Sequence, residues 1–202
     1  MKTYLITGCA GFIGSNFVHY MLKKYPEILL VNLDKLTYAG NLENLKDVEG
    51  DPRHVFVQGD ICDKELVEGL FQKYDFDYVI NFAAESHVDR SIKNPRKIFV
   101  QSNVMGTVNL LQRAKEAWYD ADAKTWKEGK KYLQVSTDEV YGALGADGFF
   151  METTPRVPPQ PLFFLQGQRR YVRYGIPRYL RHAREHHPLL QQLRPRTSSR
   201  RS

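Results

Sequence analysis

A short apolar run, "KTYLIT", passes directly into "TGCAGFIGSN", which carries Gly8, Gly11 and Gly14 in G-x-x-G-x-x-G spacing. The glycines open a helical run whose apolar positions are Phe12, Ile13, Phe17, Val18, Met21 and Leu22. At a strand-to-helix junction, glycines allow a tight turn and close backbone approach. A pyrophosphate can then sit on the helix N-terminus, where amide dipoles favour an anion. Three glycines alone fit a plain packing turn equally well. Here they are answered by Asp34, at the end of the second apolar run "EILLVNLD". A carboxylate placed there accepts hydrogen bonds from an adenosine ribose and repels a 2′-phosphate, which predicts NAD rather than NADP.

The pattern repeats along the chain. "HVFVQGD", "DYVINFAAE" and "KKYLQVSTDEVYG" read as further strands, the last ending in polar residues. Between strands lie "NLENLKDV" and "DKELVEGLFQKY", both readable as helices, the second opened by Asp63 as N-cap. "PRKIFVQSNVMGTVNLLQRAKEAWY" reads as one longer amphipathic helix starting near Pro95, and "DADAKTWKEGK" as a charged surface connection. Alternating strands and helices predict an α/β fold, a doubly wound parallel sheet covered on both faces. "GDI", Gly59 to Ile61, follows the third strand and is placed to line an adenine, although a purely capping Asp60 fits nearly as well.

The chain has 202 residues and 42% hydrophobic composition, enough for one domain with a sizeable core. Its formal charge of +6 invites a nucleic-acid partner until the charge is located. Residues 1–155 hold 18 Lys+Arg against 22 Asp+Glu, whereas residues 156–202 hold 11 Arg, no Lys and the single acid Glu185. The basic character belongs to the tail alone; nucleic-acid-binding tails usually mix Lys with Arg, Gly and Ser, whereas this one is all Arg, so no nucleic-acid partner is expected. No apolar run approaches membrane-spanning length, and "MKTYLITGCAG" has no signal-peptide pattern, so a cytoplasmic protein is expected. Cys9 and Cys62 have neither metal-ligand nor disulfide-framework spacing, and no metal is expected.

"NFAAESHVDRS" and "VSTDEVYG" fall at the carboxyl edge of the sheet, where doubly wound folds bind ligands. Thr137, Asp138 and Glu139 are consecutive, and neighbouring carboxylates can serve as acid and base, as elimination of water requires. Taken alone, Asp138 reads as a turn cap, Glu139 as a solvated side chain and His87 as a hydrogen-bonded loop histidine. Taken together, "TGCAGFIGSN", "NLDKLTYAGNLENL", "GDICD", "NFAAESHVDRSI" and "QVSTDEVYG" resemble, in order, the dTDP-glucose 4,6-dehydratases among the extended short-chain dehydrogenase/reductases. The resemblance covers residues 1 to about 155. Two of its segments, "DKLTYAGNLENL" and "AAESHVDRS", separate it from epimerases that share only the glycine loop.

The resemblance implies an NAD-binding Rossmann fold, here incomplete at the C-terminus. NAD contacts would come from Gly8, Gly11, Phe12, Ile13, Gly14, Asp34, Lys35, Leu36, Thr37, Asp60, Ile61, Ala83, Ala84, Glu85 and Ser102. It further implies a dTDP-glucose substrate held by Ser86, His87 and Thr137, and a homodimer. The implied reaction oxidises C4 of the sugar, Glu139 removes the C5 proton, Asp138 protonates the departing C6 hydroxyl, and the hydride returns to C6. Two positions depart mildly from the family. Cys9 replaces a small Gly and is expected to crowd the phosphate turn, while Ser102 keeps the hydroxyl of a common Thr.

A larger departure lies after "GFFMETTP". The family there carries a Tyr-x-x-x-Lys pair within a "SPYSxSK"-like motif; this chain has "QPLFFLQ", with Leu162 and Gln166 at the matching offset. Neither can transfer a proton. Codons compatible with Gln160–Tyr171, read after loss of their first base, can encode SPYSSSKASADM. The same operation on Leu180–Pro195 permits YGMPVNITRCSNNYGP, similar to the family's next strand and substrate loop. A one-base slip near Arg156 is therefore expected, with residues 1–155 as the NAD-binding Rossmann domain and 156–202 as an Arg-rich, out-of-frame tail, non-native or disordered. Competing readings are an NAD-binding fragment without catalysis and another nucleotide-sugar epimerase or dehydratase.

Overall fold

The structure, a computed structural model, describes residues 1–85, 95–137, 141, 148–151 and 153–154. Five parallel strands form its sheet: β1 (Lys2–Thr7), β2 (Ile28–Asp34), β3 (His54–Gln58), β4 (Tyr78–Asn81) and β7 (Lys131–Gln134), in the order β3-β2-β1-β4-β7. The chain first builds outward from β1 through β2 to β3, then returns to add β4 and β7 on the other side. This reversal between β1 and β4 opens a crevice at the carboxyl ends of the strands.

Apolar alternation decides which face each strand residue serves. Leu5, Val31, Leu33 and Val79 turn to one face, where they pack with Val67 and Leu70 of α2 (Lys64–Lys73) and with Leu110, Leu111, Ala114 and Trp118 of α3 (Thr107–Trp118). Ile6, Leu30 and Ile80 turn to the other face, against Phe17, Val18, Met21 and Leu22 of α1 (Phe12–Lys24). Burial on both faces is what an all-parallel sheet needs, and it explains the near-continuous apolar character of "EILLVNLD".

Helix ends follow local chemistry. The side chain of Asp63 accepts a hydrogen bond from the Leu66 amide at 3.0 Å and caps α2, as its position in the sequence predicts. Asp63→Ala is expected to lower stability by about 1 kcal/mol, read from the urea midpoint. Lys23 and Lys24 lie in the last turn of α1, where they complement the helix dipole. Arg53, just before β3, donates to the carbonyls of Leu22 and Tyr25 at 3.1 and 2.9 Å and so ties the end of α1 to the far side of the sheet.

Three segments differ from the sequence expectations. Leu42–Val48 winds as a 3₁₀-helix rather than an α-helix, started by Asn41, whose side chain accepts from the Glu43 amide at 3.0 Å. The helix expected from Pro95 to Tyr119 is divided into a π-wound segment, Pro95–Gly106, and the regular α3. "DADAKTWKEGK" is not wholly irregular: β5 (Tyr119–Asp120) and β6 (Thr125–Trp126) pair antiparallel, and the rings of Tyr119 and Trp126 approach to 5.0 Å. No helix among the described residues is long and apolar enough to cross a membrane.

Candidate active site

The crevice at the switch point is lined by Gly8 and Gly11 from the β1–α1 turn, by Asp34 at the end of β2 with Lys35 and Thr37 beyond it, by Asp60 and Ile61 after β3, by Ala83, Ala84 and Glu85 after β4, and by Ser102. Each is a residue singled out in the sequence. Phe12, Ile13, Gly14 and Leu36, also singled out, do not line it. Phe12 and Ile13 stand 81% and 64% exposed on the first turn of α1, and Leu36 packs against the α1-side core. Leu33, Ala39, Gly40, Gly59 and Phe82 complete the lining; of these, only Gly59 carried a signal in the sequence.

The turn that forms the floor is fixed by close approach. Gly8 has φ +68°, and a Cβ there would lie 2.6 Å from the Ala83 amide nitrogen. Only glycine lets β1 leave the sheet in this conformation while β4 runs alongside. The first turn of α1 has Gly11 as N-cap, with no capping side chain and no acid. That end of the helix therefore offers its field to an anion. The Cys9 side chain is wholly buried in the α1-side core, and burial, followed by the nearby Asp34 charge, pushes its thiol pKa strongly upward.

Asp34 knits the crevice together. One carboxylate oxygen accepts from the Ala10 amide at 2.9 Å and the other from the Leu36 amide at 2.8 Å. The same group thus fixes the glycine turn and the start of the next loop. Asp60 opposes it from the end of β3. Burial works against ionisation of Asp60, but the Lys35 ammonium, 2.6 Å away, and the Cys62 amide outweigh it and hold the carboxyl below its usual range.

Beneath the crevice runs a polar network that the sequence did not announce. Thr7 donates to Asn81, whose amide nitrogen donates to Gln134 at 2.9 Å and Thr107 at 3.4 Å. Asn103, wholly buried on the π-wound segment, accepts from the Glu85 amide and donates to the Glu85 carbonyl, both at 2.9 Å. Buried amides satisfied in this way are costly to disturb and hold loops in one place. Here they tie the strand β4 exit, and with it Glu85, to Ser102 on the same segment. Nothing in the local sequence pairs Asn81 with Gln134, because they are 53 residues apart.

Thr137, half-buried, follows β7 on the same carboxyl edge. Asp138, Glu139, Ser86 and His87 lie outside the described residues, as do Leu162, Gln166 and the Arg-rich tail. Among the described residues, no group of three His, Cys, Asp or Glu gathers as metal ligands.

The profile of the GDP-mannose 4,6 dehydratase family matches residues 5–162. A dTDP-glucose 4,6-dehydratase of Xanthomonas campestris pv. campestris is 52% identical over 161 residues, covering 80% of this chain and 45% of that protein. The crystal structure of dTDP-glucose 4,6-dehydratase from Bacillus anthracis, in complex with NAD, superposes with a TM-score of 0.72 at 41% identity, covering 85% of this chain and 49% of that one. The Streptomyces venezuelae dTDP-glucose 4,6-dehydratase, also solved with NAD bound, gives the same TM-score and identity over 84% of this chain and 50% of that one. The chain spans about half the length of the relatives it matches.

Proposed function

The chain belongs to the GDP-mannose 4,6 dehydratase family, and on that premise we propose that its described part is the NAD-binding half of a dTDP-glucose 4,6-dehydratase. The observation that carries the reading is the single crevice in which the glycine turn, Asp34 and Asp60 meet at the switch point of a parallel sheet. The residues fit the dinucleotide. The open α1 N-terminus suits a pyrophosphate, Asp34 suits ribose hydroxyls, and the Gly8 turn leaves no side chain in the way. When bound, NAD supplies a reversible hydride acceptor for the sugar. Relatives solved with NAD support the same choice.

The chain's own residues do the remainder. The Thr7–Asn81–Gln134 network stiffens the ends of β1, β4 and β7, on which the cofactor and sugar sides of the site are built. Thr137 would hydrogen-bond the C4 oxygen; Asp138 would protonate the departing C6 hydroxyl while Glu139 removes the C5 proton. Removing a proton next to a ketone while protonating the leaving group keeps charge from building on the sugar. A homodimer, implied by the family resemblance, belongs to the same proposal.

The initial oxidation needs a tyrosinate beside a lysine, and the chain offers Leu162 and Gln166 there. The family profile ends at residue 162, which supports a break in frame near Arg156. The chain as written is expected to bind NAD but to give no 4-keto-6-deoxy product from dTDP-glucose. Incubation with NAD and dTDP-glucose, followed by chromatography of the nucleotide sugars, tests this. Turnover at a rate typical of enzymes, about 1 per second or faster, would contradict the reading of the tail. Sequencing the gene across codons 150–170 tests the slip directly: a +1 frame without the tyrosine–lysine motif rules it out.

A further inference from the structure

Asp34, Asp60 and Glu85 line the crevice together with one cation among the described residues, Lys35. The cation is already engaged. Its ammonium lies 2.6 Å from one oxygen of Asp60, and the other Asp60 oxygen accepts from the Cys62 amide at 2.9 Å. The Lys35 side chain is 55% exposed and so free to swing, whereas that of Asp60 is 22% exposed and needs its partner. A pair whose cation is this exposed adds little to folding stability, so its effect should be sought in what it does to the crevice.

The two oxygens of Asp34 are both held by backbone amides, which fixes its negative charge in place. A dinucleotide bearing a 2′-phosphate would meet that charge. Its natural counter-ion in this crevice would be Lys35, which lies next to Asp34 in the chain. To answer the phosphate, Lys35 would have to leave Asp60 with Cys62 alone, its amide and its thiol, in a half-buried wall. That desolvated carboxylate competes for the same ammonium.

We infer that Asp60 is a specificity-determining residue that acts through Lys35: it keeps the crevice's cation in an ion pair and thereby withholds it from a 2′-phosphate. Discrimination against NADP then has two sources, direct repulsion by Asp34 and neutralisation of Lys35 by Asp60. The inference rests on the proposed cofactor reading and deepens it. Asp60→Asn keeps the shape and an acceptor for the Cys62 amide, but removes the charge that holds Lys35.

The test is equilibrium binding of NAD and of NADP to the full chain by calorimetry, for wild type, Asp60→Asn and Asp60→Asn/Lys35→Met, with a thermal melt of each. Asp60→Asn is expected to move the NADP-to-NAD affinity ratio toward NADP by about tenfold. The gain should shrink in high salt. The double variant is expected to return the ratio to that of wild type, since the released ammonium is gone. The use of a ratio removes any general loss of dinucleotide affinity at Asp60. A ratio unchanged within about twofold in Asp60→Asn, or a gain that survives Lys35→Met, overturns the inference. A folded wild-type chain that binds neither dinucleotide counts instead against the proposed function, and the inference falls with it.

Discussion

Gly14→Ala is expected to destabilise the protein by about 3 kcal/mol or more and to abolish dinucleotide binding. A Cβ at this position would lie 2.1 Å from the Gly8 carbonyl oxygen, 2.9 Å from its carbon and 3.0 Å from the Cys9 Cα. All three are backbone atoms, so no side chain can rotate away. The contact is relieved only by pushing α1 off the β1 turn. That movement would break the Ala10 amide's bond to Asp34 and shift the helix N-terminus. Gly69, inside α2, is the internal control: a Cβ there meets nothing within 4 Å. Gly69→Ala is expected to stabilise by about 0.5–1 kcal/mol, through helix propensity and reduced unfolded-state entropy. Urea denaturation of the pair separates steric contact from glycine content as the cause.

Trp118→Ala is expected to cost about 3–5 kcal/mol, a large share of the ~5–15 kcal/mol that holds a typical domain. The indole ends α3, is 2% exposed, and lies in the core with the rings of Phe71 and Phe76. Its N–H donates to the Phe76 carbonyl at 2.9 Å, so truncation leaves both a cavity and an unpaired buried acceptor. Trp118→Phe keeps most of the volume and is expected to recover more than half of the loss. A melting temperature for Trp118→Ala within about 2 °C of wild type would contradict this packing account.

The glycine turn, the five parallel strands and the Asp63 cap were legible because each rests on a short-range rule: a glycine spacing, an apolar run, an N-cap side chain. The winding of Leu42–Val48 and of Pro95–Gly106 was not. Helices of 3₁₀, α and π type place apolar residues at similar intervals, and Asn41 or tertiary contact decides between them. The β5–β6 ribbon escaped because its strands have two residues each, too short for any alternation to register. Cys9 stands where the family carries a small Gly and is expected to crowd the phosphate turn; its side chain points into the core. Neighbouring residues in a turn need not face the same way.

The site divides along the same line. Asp34 and Asp60 could be placed from their positions after strands, since the carboxyl ends of β2 and β3 must lie together in this topology. Asn81, Asn103, Thr107 and Gln134 could not, because buried hydrogen bonds between distant segments have no local pattern. The sequence marks Lys35 as a contact residue but carries no sign that Asp60 holds its charge. That pairing depends on a register, Asp34 opposite Gln58, that only the assembled sheet supplies.

On the proposed reading, this chain builds a dinucleotide site at the β1–β4 switch point. Calorimetric titration of the full 202-residue chain with NAD tests it most directly. Saturable binding at one site per chain, lost in Gly14→Ala and retained in Gly69→Ala, is the predicted result. A chain that melts cooperatively yet takes up no NAD would contradict it.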